Sequence, residues 1–273
     1  KNLYYSALAN SQSKEAMDVL INSYETETGE NKKSAFVALT QWKSFDGLYP
    51  ILDIARSSND NNIVSEAVDA IIKKVGSSNK TGAVKYLYLR EAMELAKTDA
   101  QKNNILQLIG NTGLYQAMLY VAPFMDVPAL SERAAQAAMN IGTNNPQYAG
   151  AKTTEILNKV SKTINNPDAG YQRQNISKFL SENSQEGGFV SLFNGKNLDG
   201  WKGLVGNPIS RSKMSAKQLA EAQVKAEKQK EKDWSVENGL IMFDEKGRDN
   251  LCTEKQYGDF EMLVDWKLYP GPE

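Results

Sequence analysis

An internal repeat constrains the fold of the N-terminal part of the chain. The stretch GLYPIL begins at Gly47 and the stretch GLYQAM begins at Gly113, which is an offset of 66 residues. At the same offset, SEAVDAIIKKVG begins at Ser65 and SERAAQAAMNIG begins at Ser131. Two separate matches at one offset predict a repeated structural unit. A period of this length fits two helical hairpins of about 33 residues each.

Hydrophobic periodicity indicates that the repeated units are α-helical. Apolar residues recur about every 3.6 positions through residues 1–182, and short polar turns separate the periodic segments. One predicted stripe contains Val64, Ala67, Val68, Ile71, Ile72 and Val75. Two other predicted stripes contain Ala16, Val19, Leu20 and Tyr24, and Leu87, Met93 and Leu95. A single hairpin cannot bury such a face, so neighbouring hairpins are expected to stack.

Helix ends of the form A-x-x-A-x-x-x-I-G, with small alanines at close helix contacts, resemble those of HEAT repeats. The resemblance implies an all-α, HEAT-like solenoid over residues 1–183. Its aromatic residues are predicted to pack in the core, and the alternative is a peptide-binding groove. These residues are Tyr4, Tyr5, Trp42, Tyr86, Tyr88 and Tyr115.

The composition excludes several kinds of chemistry. The chain contains no histidine, which removes Ser-His-Asp and Cys-His catalysis and histidine metal sites. Its one cysteine, Cys252, allows neither an intrachain disulfide nor a thiolate zinc cluster. A net charge of −1 does not favour a nucleic-acid partner, and no run of about 18 apolar residues predicts a membrane span. Any reaction must therefore use carboxylates, Lys, Arg, Tyr or an oxygen-ligated ion.

At Gly187 the hydrophobic period changes from 3.6 to 2, which predicts a second, all-β domain over residues 187–273. The stretch GFVSLF predicts a short strand. WSVENGLIMF predicts a hairpin, because Asn238-Gly239 is a preferred pair for a type I′ turn. LCT predicts a further strand. Residues 211–233 are charged and rich in helix-forming residues, so they predict a mostly solvated helical insertion, and the alternative is a lid over a site.

The stretch FEMLVDWKL, residues 260–268, predicts a strand with two different faces. Alternation places Phe260, Met262, Val264, Trp266 and Leu268 on the core side. Glu261, Leu263, Asp265 and Lys267 would lie on the other side. This pattern is typical of an antiparallel sandwich with one sheet face open to water. Trp234 is predicted to lie in the same core as Trp266.

Three motifs of this second domain, in order, make it resemble the 3-keto-disaccharide hydrolase family. They are F-N-G-K-x-L-x-G-W, W-x-V-x-N-G and Y-G-D-F-E-x-x-x-D-W-K. The resemblance implies a concanavalin-like jelly-roll sandwich and a bacterial protein that is periplasmic, secreted or on the cell surface. Family members continue beyond LYPG into more strands. We therefore expect residues 187–273 to be the N-terminal part of an incomplete sandwich, and the sequence to be a fragment of a longer protein.

The family resemblance implies cleavage of a glycoside whose sugar carries a ketone at C3. Such a reaction needs a base, a stabiliser for the enolate and an acid for the leaving group. Asp265, Lys267 and Glu261 are the catalytic candidates, and an ordinary solvated sheet face is the alternative. No cofactor is clearly indicated, although a divalent cation could assist.

Two residues are candidates for substrate binding. The ring of Trp201 could stack on a sugar, and its alternative role is to anchor a loop or fill the core. Glu254 is a weaker candidate at the end of the predicted strand LCTE. Three functions stay open on these grounds: a hydrolase or lyase acting on 3-keto glycosides, a non-catalytic sugar-binding module, and a helical scaffold that holds a protein partner.

Overall fold

The structure is a computed structural model and describes residues 2–244 and 247–268. Over these residues the chain forms thirteen α-helices, three short 3₁₀ helices and four β-strands. It divides into two compact units, residues 1–189 and 190–273. The first unit is helical, and the second contains the four strands together with two helices. None of the helices in the described ranges has both the length and the hydrophobicity needed to cross a lipid bilayer.

Eleven α-helices are described in the first unit. They are α1 (Asn2–Ser11), α2 (Lys14–Thr26), α3 (Gly29–Thr40), α4 (Leu48–Ser57), α5 (Asn61–Ser77), α6 (Gly82–Leu95), α7 (Asp99–Gly110), α8 (Tyr115–Val121), α9 (Ser131–Asn144), α10 (Ala151–Thr163) and α11 (Ala169–Glu182). The 3₁₀ helices cover Phe45–Gly47, Ala122–Asp126 and Pro146–Tyr148.

Side-chain caps explain where several of these helices begin. Ser13 accepts a hydrogen bond from the backbone N–H of Ala16 at the start of α2. Thr98 and Gln101 form a reciprocal capping box at the start of α7. Such caps satisfy backbone N–H groups that have no partner inside the helix, and each typically contributes about 1 kcal/mol.

The helices of the first unit pack mainly on their neighbours in sequence. The pairs α2–α3, α4–α5, α6–α7, α8–α9 and α10–α11 form hairpins, and α5, α7, α9 and α11 contact one another in succession. The repeated stretches GLYPIL and GLYQAM run into α4 and α8, and the second pair of repeated stretches lies in α5 and α9. The sequence repeat therefore corresponds to two hairpins with the same order of helices.

Hydrogen bonds between hairpins follow the same repeat. Lys74 Nζ donates to the carbonyl of Trp42, just after the end of α3. Asn140, which is 66 positions further on, donates from Nδ2 to the carbonyl of Gly110 at 2.8 Å. Gly110 is the last residue of α7. The two donors occupy equivalent positions in the repeat, and each satisfies a carbonyl at, or just beyond, the end of a preceding helix.

Most of the predicted core residues are buried. On α5, Val64, Ala67, Val68, Ile71 and Val75 lie in the core, and Ile72 is half-buried against it. Tyr5, Trp42, Tyr86 and Tyr115 are also buried. The prediction was wrong for Leu87, which is 62 % exposed, and for Tyr4 and Val19, which are exposed. These residues share a helix with buried neighbours, but they lie at the margin of the packed face.

The second unit has two small antiparallel sheets. Its strands are β1 (Trp201–Gly203), β2 (Trp234–Glu237), β3 (Leu240–Phe243) and β4 (Leu251–Thr253), and β1 pairs with β4 whereas β2 pairs with β3. The predicted hairpin is confirmed, since Asn238 and Gly239 have φ angles of 51° and 77° between β2 and β3. The predicted strand LCT is β4.

The helical insertion forms α12 (Pro208–Ser212) and α13 (Ala216–Asp233). A capping box between Ser215 and Gln218 starts α13, and its residue Val224 is exposed, as expected for a solvated helix. The buried Ala226 lies against β1. Gly203 permits this contact, because a Cβ atom there would overlap the carbonyl of Ala226.

Two of the predicted strands were wrong. Residues 188–193 and 260–268 are described by the structure, and neither segment forms a strand. Phe189 instead stacks on Tyr115, with ring centroids 4.6 Å apart. The ladders formed by the described residues are β1–β4 and β2–β3, and residues 260–268 belong to neither of them. Their apolar row is uncovered, and Trp266, predicted to lie in the core, is 76 % exposed.

Candidate functional site

The strand pair β1–β4 brings two of the five candidate residues together. Trp201 lies opposite Thr253 in the ladder, and Glu254 follows directly after β4. The backbone N–H of Glu254 donates to the carbonyl of Gly200 at 2.8 Å, which continues the pairing by one residue. Trp201 and Glu254 are therefore neighbours across one short ladder.

The half-buried Trp201 has a structural role in addition to any role in binding. Its Nε1–H donates to the carbonyl of Leu192 at 2.9 Å. This hydrogen bond holds the loop that leads into β1, which is the anchoring role that the sequence left open. The exposed Glu254 borders the same ladder. Substrate binding by Trp201 and Glu254 stays a prediction.

The catalytic candidates Glu261, Asp265 and Lys267 lie in residues 260–268 and are exposed. They were predicted to share one face of a strand, and the structure assigns no hydrogen-bonded strand to this segment. Their assignment as catalytic residues stays a prediction.

A charged cluster that the sequence analysis missed joins α13 to β1. Lys230 Nζ lies 2.7 Å from Glu227 Oε2 and donates to the carbonyl of Trp201 at 3.0 Å. Glu227 Oε1 accepts from the N–H of Gly203 at 3.2 Å and from Nε2 of Gln223 at 2.7 Å. Gln223, Glu227 and Lys230 lie three and four positions apart, so their shared helix face was a signal available in the sequence.

The electrostatics of this cluster favour an ionised Glu227. Burial raises the pKa of Glu227, but the hydrogen bonds from Lys230 and Gln223, the charge of Lys230 and the N–H of Gly203 lower it by more. The pKa of Glu227 is therefore below its ordinary value. The cluster contains an ionised carboxylate and an ammonium group, both held in place next to the backbone of Trp201.

A second missed residue, Asp233, organises the loop between β3 and β4. As a whole residue, Asp233 is only 4 % exposed. Its Oδ2 accepts from the N–H groups of Arg248 at 3.1 Å and Asp249 at 3.0 Å, and its Oδ1 accepts from Gln229 Nε2 at 2.7 Å. Burial raises the pKa of Asp233, but these hydrogen bonds and the charge of Lys232 outweigh burial, so the pKa lies below its ordinary value.

The comparison with known protein families gives one finding for this unit. Residues 188–273 match the family model described as the 3-keto-alpha-glucoside-1,2-lyase-like domain. The match confirms the resemblance that the three motifs predicted, and it indicates a carbohydrate-related function for this part of the chain. No curated protein matches the chain. The matched residues leave out almost all of the helical unit.

The carboxylate and thiol groups of the described residues form no cluster of the kind that holds a metal ion. Over residues 2–244 and 247–268, no group of three or more Asp, Glu, Cys or His side chains is arranged to hold a metal ion. A divalent cation that could assist the reaction thus has no ligand set of this kind in the described part of the chain.

Proposed function

We propose that residues 188–273 act on 3-keto glycosides, as a hydrolase or as a lyase. The observation that supports this most strongly is the family match over residues 188–273. The composition agrees, because a reaction that starts beside a ketone does not require the histidine that this chain lacks. The coarser conclusion, a carbohydrate-related function, rests on the match alone.

The proposed chemistry begins with the proton at C2 of the sugar. The C3 ketone acidifies this proton, so a carboxylate base can remove it, and the electron pair forms an enolate. The C1–O bond then breaks, and the leaving oxygen takes a proton from an acid. A lyase stops at this unsaturated product. A hydrolase adds water across the new double bond, with the hydroxyl at C1 and the proton at C2.

Three exposed side chains are proposed to carry these steps. Asp265 would act as the base, Lys267 would stabilise the enolate oxygen, and Glu261 would protonate the leaving group. Their exposure leaves them accessible to a substrate. Trp201 and Glu254 would contact the rest of the glycoside.

The experiment uses the full chain and a 3-keto glycoside. Asp265→Asn and Lys267→Met are near-isosteric and remove one charge each from an exposed segment, so folding should be unaffected. If either residue has the proposed role, turnover should fall by about 10²-fold or more. Glu221→Gln and Lys228→Met, which change exposed charges on α13, are the matched controls and should leave turnover unchanged.

The double variant, which combines Asp265→Asn with Lys267→Met, gives the decisive test of the proposed catalytic roles. Its far-ultraviolet circular dichroism should match that of the parent, so that a loss of turnover reports on chemistry. Parental turnover in this folded double variant would contradict the proposed roles. The two charges would then belong to an ordinary solvated surface.

For the helical unit we propose a HEAT-like α-solenoid that serves as a scaffold. The supporting observation is the spacing of side-chain hydrogen bonds between hairpins. Gln101 reaches Ser65 across 36 positions, Asn140 reaches Gly110 across 30, and Lys159 reaches Asp126 across 33. Each spacing is close to one hairpin, as expected when every repeat contacts its neighbours.

Native-state hydrogen exchange on the full chain tests the solenoid. In a stack stabilised by nearest-neighbour contacts, protection should be highest in central hairpins such as α6–α7 and should decrease towards both ends. Uniform protection from α2 to α11 would contradict the proposal, because it would indicate a single cooperative core.

A further inference from the structure

A shallow surface cavity of about 380 Å³, wide open to solvent, lies in the second unit between residues 196–199 and residues 230–236. Its volume lies in the range of small-molecule sites, which is about 300–1,000 Å³. None of the five candidate residues named from the sequence lines it. The cavity is therefore a separate feature of this unit with its own chemistry.

Two of the quoted motifs meet at this cavity. Lys196 and Leu198 come from F-N-G-K-x-L-x-G-W, and Trp234 and Val236 come from W-x-V-x-N-G. The turns of the two motifs also lie close together, since a Cβ atom on Gly239 would be 3.8 Å from the carbonyl oxygen of Gly195. One wall is thus a loop and the other is the start of the β2–β3 hairpin.

The apolar part of the lining is held in a fixed position. Leu198, Trp234 and Val236 are half-buried and line the cavity. The indole Nε1–H of Trp234 donates to the carbonyl of Asp249 at 3.1 Å, and its ring lies 4.6 Å from the ring of Phe243. An aromatic and aliphatic surface of this kind can pack against the C–H face of a sugar ring.

The loop wall is also pre-formed. Asn194 Oδ1 accepts from the N–H groups of Lys196 at 2.8 Å and Asn197 at 2.9 Å. Asn197 Oδ1 in turn accepts from the N–H of Asp199 at 3.1 Å. On the opposite side, Lys230 is held by Glu227 and by the carbonyl of Trp201. Because these groups are already ordered, binding a ligand costs the protein little conformational entropy.

The charges around the cavity indicate the class of ligand. Lys196 and Lys230 are cationic, whereas Asp199 and Glu231 are anionic, so the formal charge of the lining cancels. A lining with no net charge gives no overall attraction to an anion or a cation. It does present donors and acceptors around an apolar surface, which suits an uncharged ligand with many hydroxyl groups.

We propose that this cavity is a binding subsite for an uncharged sugar ring of a glycoside. The proposal rests on the proposed function for the substrate class, but binding at the subsite does not require catalysis. Asp199 and Glu231 accept hydrogen bonds from sugar hydroxyls, and Trp234 packs against the ring. The subsite extends the contacts to the part of the glycoside that does not react.

Binding of unoxidised glycosides separates the subsite from the reaction. Isothermal titration calorimetry of the full chain with maltose, trehalose and cellobiose should detect binding of at least one of these neutral disaccharides. Asp199→Asn and Glu231→Gln should each weaken that binding by about tenfold or more, as expected for hydrogen bonds to charged groups. Glu221→Gln, an exposed change elsewhere on α13, is the matched control and should leave binding unchanged.

The outcomes distinguish the proposed subsite from the proposed reaction on 3-keto glycosides. Binding that the cavity variants weaken, without turnover of any 3-keto glycoside by the parent, would support the subsite and contradict the reaction. If the parent turns over a 3-keto glycoside, the same variants should raise KM with little change in kcat. Absence of binding to all three disaccharides, or equal binding by the parent and both cavity variants, would overturn the subsite.

Discussion

In the helical unit, the apolar stripe of α5 lies inside a core where Val68 is fully buried, whereas Val264 in the second unit is 59 % exposed. Both valines belong to regular apolar patterns, one with a period of 3.6 and one with a period of 2. The difference lies in what surrounds them. The helix α5 has α4, α6 and α7 packed around it, and residues 260–268 have no paired strand in the described part of the chain.

This contrast shows that an apolar pattern becomes a core only when neighbouring elements cover it. A helix satisfies its backbone hydrogen bonds internally, so it keeps its form while side chains from other helices pack against it. A strand depends on a partner for both its backbone hydrogen bonds and the cover of its apolar face.

The largest expected effect comes from placing the same charge in the two environments. Val68→Asp inserts a carboxylate into the packed core and should reduce the free energy of unfolding by several kcal/mol. Val264→Asp changes an exposed residue and should alter stability by less than about 0.5 kcal/mol. Thermal and urea unfolding of both variants measures the difference. A similar loss in the two variants would mean that residues 260–268 are packed.

A smaller effect is expected at a buried polar contact between hairpins. Gln101 is buried, and its Nε2 donates to the carbonyl of Ser65 at 2.9 Å and to Asp69 Oδ1 at 2.9 Å. Gln101→Ala should therefore cost about 1–3 kcal/mol, because the hydrogen bonds that this buried side chain donates to the half-buried Ser65 and to Asp69 are lost. Gln107→Ala, an exposed position on the same helix, is the control and should be nearly neutral in urea unfolding.

The smallest effect on stability is expected from the titration of Asp233 in the second unit. Because the pKa of Asp233 is lowered in the folded chain, its contribution to stability is present above the unfolded value of about 3.9. That contribution is lost as the pH falls through the lower folded pKa. In nuclear magnetic resonance spectra, the amide protons of Arg248 and Asp249 should titrate with a midpoint below about 3.9. Asp233→Asn should abolish the titration, and a midpoint at or above that value would contradict the assignment.

Much of the helical unit could be predicted from the sequence, because its signals are local. The stripe through Val68 predicts a helix, and the structure forms it as α5 (Asn61–Ser77). The Asn238-Gly239 turn was equally informative, since its backbone conformation is specific to few residue pairs.

The candidate site was less predictable, because its contacts depend on distant parts of the chain. Strand β1 was missed, since Trp201–Gly203 is too short to show alternation and pairs with β4 about 50 positions later. The role of Asp233 was also hidden, because its partners Arg248 and Asp249 lie beyond two intervening strands. The alternation at Asp265 was visible, but a pattern cannot reveal whether a partner strand is present.

The most direct test of the proposed function compares two substrates that differ only at C3. The full chain is incubated with a 3-keto α-glucoside and with the same glucoside bearing a hydroxyl at C3, and release of the aglycone is measured against a reaction without protein. The account predicts release from the 3-keto glucoside alone, because only the ketone acidifies the C2 proton. Release from neither substrate, or equal release from both, would contradict it.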